Sequence, residues 1–498
     1  MTDRSTALRR RALFRGLAAA GTVAAFGSAL APRRARAATP APRLLFVIGA
    51  SGGASIIDSF LPLLASRATG SRVNELIAYP DAVVQQLPGS SFQVVRNLAN
   101  AGFSTSPLFQ SSFEHVDLVR AHGSDMLVAT VENTSVNHVV AQGRALTGAG
   151  IDGGRTILEA AAMTHGAGLV LPAVNLASGG YLDPGTRADT PDWARAEIVN
   201  DPLRFAASTD GSRGLFPVGD PRMPRSALLS RARAGRERLE DLSPLAAVSS
   251  PMRTRYLSLR RDLQPRMESE QLIESLMLVS SGVDLASYGL RPAPAIEAMG
   301  LLDRFPNLFE DRFQAQTALA YLLAREGLSA AIGWGPGFAP SFLSDGTITD
   351  TPIAFDFSHN DHVTTQNVMW SRVAAMIDAL VRLLKETPTD DGTLWDRSLI
   401  YVATDFGRER YRPAGATSGF GTGHHLSNGN VFLSPLLRGN RTLGGVATDT
   451  AITEGWDPVT GATTPGRNDV REGHLYSLVA HALGIEFANR IDVPAAVR

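Results

Sequence analysis

Between Ile353 and Asn430 the chain gathers four of its ten histidines among carboxylates. His359 and His362 follow Asp356. Asp405 closes the apolar run Leu399–Thr404, and His424 and His425 stand behind the glycine-rich stretch Gly419-Phe420-Gly421-Thr422-Gly423. Imidazole and carboxylate are the usual ligands of zinc and related ions. A divalent metal ion is therefore expected here, zinc first, with calcium or manganese as alternatives. A single histidine more often serves as a satisfied polar or loop residue. It is the grouping of four imidazoles beside two carboxylates that raises the metal reading above that default. His115, His122 and His165 have no carboxylate at useful spacing apart from Glu114. His474 and His481 lie seven apart among Leu475, Leu478 and Leu483, which reads as helix packing.

A second chemical signal is the run Gly49-Ala50-Ser51-Gly52-Gly53. A glycine-rich turn after a strand can offer successive backbone N–H groups to an anion. The phosphate-loop lysine and the dinucleotide spacing are both missing. Ser51, Gly52 and Gly53 are thus expected either to face an oxyanion or to form a tight turn.

These groups need elements to hold them. Leu44–Ile48, Met126–Val131 and Leu399–Thr404 are apolar runs of strand length, and Val116–Arg120 looks similar. Met369, Val373, Met376, Leu380 and Leu384 recur at helical spacing and stop before Pro388. Strands alternating with helices predict an α/β fold with a largely parallel central sheet flanked by helices. In such sheets ligands collect at the carboxyl ends of strands, where Gly49–Gly53 and Asp405 both fall. The stretch from Leu203 to Asn307 differs: it is arginine-rich and helically patterned, with Pro265 as a break. It is expected to be a mainly helical insertion whose arginines form a solvated face.

The first 37 residues read as a twin-arginine export signal. Arg9-Arg10-Arg11 and Arg15 precede a short Gly/Ala-rich apolar core and the small-x-small site Ala35-Arg36-Ala37. The expected destination is the bacterial periplasm or the medium, with the twin-arginine translocase as a transient partner. The mature domain would then be 38–498, with no membrane span after cleavage, since no other segment is long and apolar enough. A chain with no cysteine must be held by its core alone, and roughly 460 residues suffice for that. A net charge of -1 gives no footprint for nucleic acid.

The segment Leu45-Phe46-Val47-Ile48-Gly49-Ala50-Ser51-Gly52-Gly53 through Asp58-Ser59-Phe60 resembles the opening of the domain-of-unknown-function-1501 family, exported proteins of the alkaline phosphatase and sulfatase superfamily. Further pieces match in the same order: Asn137-His138 leading to Thr147-Gly148; Leu319–Gly327 before Ala331-Ile332; Phe355-Asp356 with His359; Trp395-Asp396-Arg397 leading to Asp405-Phe406-Gly407-Arg408; Gly421-Thr422-Gly423-His424; and His481–Ile485. The resemblance spans nearly the whole mature chain, and the insertion contributes little to it.

What the resemblance implies is an alkaline phosphatase-like sandwich that hydrolyses phosphate or sulfate esters with metal ions. The substrate would be a small anionic ester or glycan. By matching position, Asp356, His359 and His424 would form one metal site and Asp405 would face a second. One extra residue separates Asp356 from His359, so His362 is an alternative ligand. His425 is expected to orient its neighbour. His138 stands at the nucleophile position, where it could take a phosphoryl group, bind metal or act as a base. Thr134 and Ser135 are fallback nucleophiles or simple helix caps. Ala50, Ser51 and Gly423 stand where the pattern has metal-binding aspartates. A single-metal hydrolase is therefore weighed against a degenerate member that binds an anionic glycan or an envelope protein.

Overall fold

The computed structural model describes residues 41–96, 113–177, 181–206, 272–336 (apart from 289, 291 and 292), 354–416 and 419–498, with isolated positions between 231 and 257. The described residues from 42 onward form one compact unit. The export signal and most of the expected insertion lie outside the described residues.

Eight strands make the central sheet: β1 (Leu44–Ala50), β2 (Met126–Glu132), β3 (Ala173–Asn175), β4 (Glu197–Ile198), β5 (Ala331–Trp334), β6 (Ser398–Thr404), β7 (Ser427–Leu433) and β8 (Arg441–Leu443). Their spatial order is β8-β2-β7-β6-β1-β5-β3-β4. Only β7 runs against its neighbours. The others are parallel, which is the largely parallel α/β sheet that the apolar runs predict.

Both faces of β1 are buried, as its unbroken apolar sequence requires. Leu44, Phe46 and Ile48 point into one core with helices α1 (His115–His122), α4 (Arg312–Arg325) and α5 (His362–Glu386). Leu45 and Val47 point into the other, with α2 (His138–Thr147), α3 (Ile157–His165) and α6 (Glu472–Leu483). The architecture is thus three layers, helix, sheet and helix.

One expected strand is a helix. Val116–Arg120 lies inside α1, where His115, Leu118, Val119 and His122 are buried at i, i+3, i+4 and i+7 while Asp117 and Arg120 pair on the outer face. A short apolar run cannot separate the two periods unless its flanks are read too. None of the described helices is long and apolar enough to cross a membrane.

Register brings the chemistry to one rim. In the parallel β1/β6 pair Ala50 lies opposite Thr404, so Ser51 and Asp405 leave the sheet side by side. Strand β7, being antiparallel, begins at this same rim. A two-residue ladder just before it pairs Arg408 with His424 and Gly407 with His425. Helix α2 also starts here, after β2, with Asn137 as its cap.

Candidate metal centre

Asp405 is the hub. It is fully buried, and its carboxylate accepts N–H bonds from Gly52 (3.1 Å) and Gly53 (2.7 Å). Both glycines have positive φ, +92° and +78°. A side chain on Gly52 would collide with the backbone of Asp356, so the turn is glycine by close approach as well as by φ. Of the two expectations for this stretch, an oxyanion-facing loop or a tight turn, the structure has a tight turn whose N–H groups are taken by the protein's own Asp405. Ser51 is buried and its carbonyl accepts the Phe355 N–H.

Asp405 Oδ2 also lies 2.8 Å from Nδ1 of His138, the first residue of α2, and Gln142 one turn on donates to the same oxygen at 3.5 Å. A carboxylate only accepts, so Nδ1 carries the proton and the lone pair of the neutral ring lies on Nε2. That Nε2 is 3.3 Å from Asp356 Oδ1. His424 repeats the device. Its Nδ1 donates to the Val136 carbonyl at 2.9 Å, and its Nε2 lies 3.8 Å from the same Asp356 oxygen. Histidines that bind metal are oriented in this way by an acceptor behind the ring. The ligand-capable atoms of His138, Asp356 and His424 lie within 4.8 Å of one another, a group that could hold a metal ion.

His359 stands at the same corner, its Nε2 3.4 Å from Asp356 Oδ1 and 2.8 Å from His424 Nε2. Two imidazole nitrogens so close need a proton or a cation between them. The Phe406 ring stacks on His424 at 4.1 Å and fixes its plane. Arg408 is fully buried and clamped by the carbonyls of Gly52, Phe355 and Thr422. From there it donates to Asp356 Oδ1 at 3.1 Å and lies 3.2 Å from His359 Nε2.

The field at this corner favours cations. Burial would lower the pKa of His138, but the hydrogen bonds and charges of Asp356 and Asp405 outweigh it and raise the ring to about 9. Burial would raise Asp356, yet His138, His424 and Arg408 together hold it well below the usual carboxylate range. Burial and the Arg408 charge push His359 down. Asp356 and Asp405 thus hold a proton on His138 beside the fixed charge of Arg408, and a bound ion would take the place of that proton.

The remaining sequence candidates separate from the cluster. His362 is buried as the first residue of α5, with Nε2 3.1 Å from Asp58 Oδ1 and Nδ1 2.9 Å from Thr422 Oγ1, so both nitrogens are committed. His425 projects to the opposite side of the ladder from His424, as alternation dictates. Its Nδ1 accepts the Ser427 N–H at 3.0 Å. Ser135 Oγ accepts the Asn137 N–H at 3.1 Å. Asn137, and neither Thr134 nor Ser135, caps α2. Thr134 donates its hydroxyl to Glu472 Oε1 at 2.8 Å and lies 3.0 Å from Arg144 Nη1.

Sequence reasoning missed Arg408 and the Val136 carbonyl. Arg408 was visible as the last residue of Asp405-Phe406-Gly407-Arg408, but no sequence signal marks a backbone carbonyl as an orienting group. Of the histidines read as structural, His122 bonds Asp378 at 2.9 Å and His165 the Leu483 carbonyl at 2.8 Å, and His115 is buried in α1.

Compared with known proteins, the sequence matches no family model and no curated protein. Among solved structures, the chain is similar to Ps i-CgsB, crystallised in complex with k-i-k-neocarrahexaose, at 9% identity, covering 91% of this chain and 75% of that one with a TM-score of 0.31. At that score the fold assignment rests on the sheet itself.

Proposed function

We propose that this chain is an exported, metal-dependent hydrolase of phosphate or sulfate esters, a member of the domain-of-unknown-function-1501 family within the alkaline phosphatase and sulfatase superfamily. The observation that carries the reading is the pair of oriented imidazoles. His138 and His424 each spend Nδ1 on an acceptor and turn Nε2 toward Asp356. Two nitrogens and one oxygen suit zinc better than calcium, which prefers oxygen alone. The three side chains keep 22%, 21% and 31% exposure for His138, His424 and Asp356. That open face is what separates a catalytic site from a closed structural one.

One ion fits the charge better than two. Arg408 already gives Asp356 and His359 a fixed cation, and Asp405 spends both oxygens on N–H donors. A divalent ion at His138, Asp356 and His424 supplies Lewis-acid stabilisation of charge developing on the ester oxygens. His138 then serves as a ligand, and the nucleophile must come from elsewhere. The fallback hydroxyl is Thr134, in the loop before α2, which donates to Glu472 Oε1 and lies 3.0 Å from Arg144 Nη1.

The test is metal analysis of protein recovered from the periplasm without added metal, followed by a panel of aryl phosphates and sulfates. About one zinc per chain and turnover lost in His424→Ala are expected. Loss of turnover in Thr134→Ala with the metal retained would assign that hydroxyl as the nucleophile. Lysine at Arg9, Arg10 and Arg11 should block export. A metal-free protein whose ester turnover ignores His424→Ala would end this reading. The engagement of the glycine nest by Asp405 favours a second reading, binding of an anionic glycan or an envelope protein without turnover. Glycan affinity in a protein inert to every ester would select it.

A further inference from the structure

On the reverse side of the His424–His425 ladder is a pocket of about 420 Å³, in the size range of small-ligand sites. Its wall includes Arg72, Arg410, Arg412, Tyr411, His425 and Glu409. His424 faces the metal corner and His425 this pocket, so the ladder separates them.

Arg410 is the unusual member. It is 2% exposed, and its guanidinium bonds only neutral groups, the Ser55 hydroxyl at 3.1 Å and the Ser427 carbonyl. Among the described residues its Nε–H has no acceptor. Asp58 acts on it through charge alone, without a hydrogen bond. A buried cation without a bonded counter-charge is costly, and proteins normally pair it.

Its neighbours add to the imbalance. Arg412 bonds only the Asn74 carbonyl, at 3.2 and 2.8 Å. Arg72 pairs with Glu75 and lies 3.9 Å above the Tyr411 ring. Burial and the Arg410 charge push His425 down to about 4, so its ring is neutral near pH 7. Glu409 is the one carboxylate of the wall, and it accepts the Gly423 N–H at 2.8 Å. With Arg72 assigned to Glu75, the wall itself presents Arg410 and Arg412 against Glu409, and Asp58 lies behind Arg410 without a hydrogen bond to it.

We propose that this pocket binds an oxyanion group, a sulfate, phosphate or carboxylate of a soluble ligand, at a site separate from the metal corner. Guanidinium groups match such oxygens in geometry and charge. The site does not depend on the hydrolase reading, because none of its arginines belongs to that cluster.

Calorimetric titration of the purified protein with sodium sulfate, phosphate or acetate, against sodium chloride at equal ionic strength, tests it. Saturable binding of at least one oxyanion is expected, with none for chloride, and the tightest of the three identifies the chemical source. Arg412→Gln, at a partly exposed position that should leave folding intact, is expected to raise the apparent Kd about tenfold, the loss of one charged hydrogen bond. His424→Ala should leave it unchanged. The proposal is overturned by an absence of saturable binding, by equal affinity in a folded Arg412→Gln protein, or by binding that disappears in His424→Ala.

Discussion

Two neighbouring corners at the β1 rim pair histidine with aspartate, and they do opposite things with the pair. At the metal corner, His138 and His424 each give Nδ1 to a backing acceptor and turn Nε2 toward Asp356 near solvent, where His424 Nε2 also lies 2.8 Å from His359 Nε2. At the inner corner, His362 satisfies both nitrogens, with Asp58 and Thr422, and stacks on Phe420. Asp58 in turn accepts the Tyr79 hydroxyl at 2.5 Å. The difference is access: His138 and His424 meet Asp356 at a partly exposed face, whereas His362 and Asp58 meet where both side chains are fully buried. A closed pair is a fastening between α5 and the loop after β1; an open pair is a site.

The comparison breaks most sharply at Asp405, which serves the turn after β1 and the metal corner at once. Asp405→Ala strands two buried N–H donors and the proton of His138, and should cost about 3–5 kcal/mol in chemical unfolding. The outcome that contradicts this is an unchanged denaturation midpoint. Asp405→Asn keeps the shape but weakens the orienting bond, and should lower zinc affinity about 10–100-fold in competition titrations.

Next comes a crossed pair of substitutions. His362→Ala should destabilise by about 3 kcal/mol with zinc content unchanged, because a packed and doubly bonded ring is lost. His424→Ala should do the reverse, emptying the site while the midpoint moves by less than about 1 kcal/mol, as befits a partly exposed ring. If both variants lose metal, or both lose stability alike, the two corners are not distinct.

Protonation gives a third contrast. Burial lowers His115 to about 4, so it folds neutral, and its contribution is present above an ordinary pKa near 6.5 and lost as pH falls toward about 4. That amounts to roughly 3 kcal/mol, visible as an acid-side fall in stability that His115→Gln would soften. His138 has the opposite sign in metal-free protein. Its stabilisation is complete below an ordinary pKa near 6.5 and fades as pH rises through about 9. NMR titration of the two rings checks both signs.

The smallest effect is expected for Tyr79→Phe, which removes one donor to Asp58 and should cost about 1 kcal/mol with no change in bound metal.

Much of the scaffold was legible because its signals are local. The apolar runs of β1, β2 and β6 and the helical spacing of α5 each declare themselves within a few residues. Val116–Arg120 misled because five apolar-rich residues fit either period, and the helical face needed His115 and His122 to show. At the site, the stretch 353–430 was visible as a concentration of ligand types, and it supplies Asp356, His359 and His424. His138 came into view only through the family resemblance, at its nucleophile position. Its partner Asp405 is 267 residues away, and no spacing rule reaches so far.

The amino-acid sequence by itself determined the alternation of buried strands and amphipathic helices, the glycines at 52 and 53 and the supply of imidazoles and carboxylates, because periodicity, backbone freedom and side-chain chemistry belong to each residue and its neighbours. Only the tertiary structure decided which imidazoles meet at the exposed corner. The way a ring turns its Nε2 depends on the acceptor that packing sets behind Nδ1, Asp405 behind His138 and the Val136 carbonyl behind His424, and those acceptors come from distant parts of the chain.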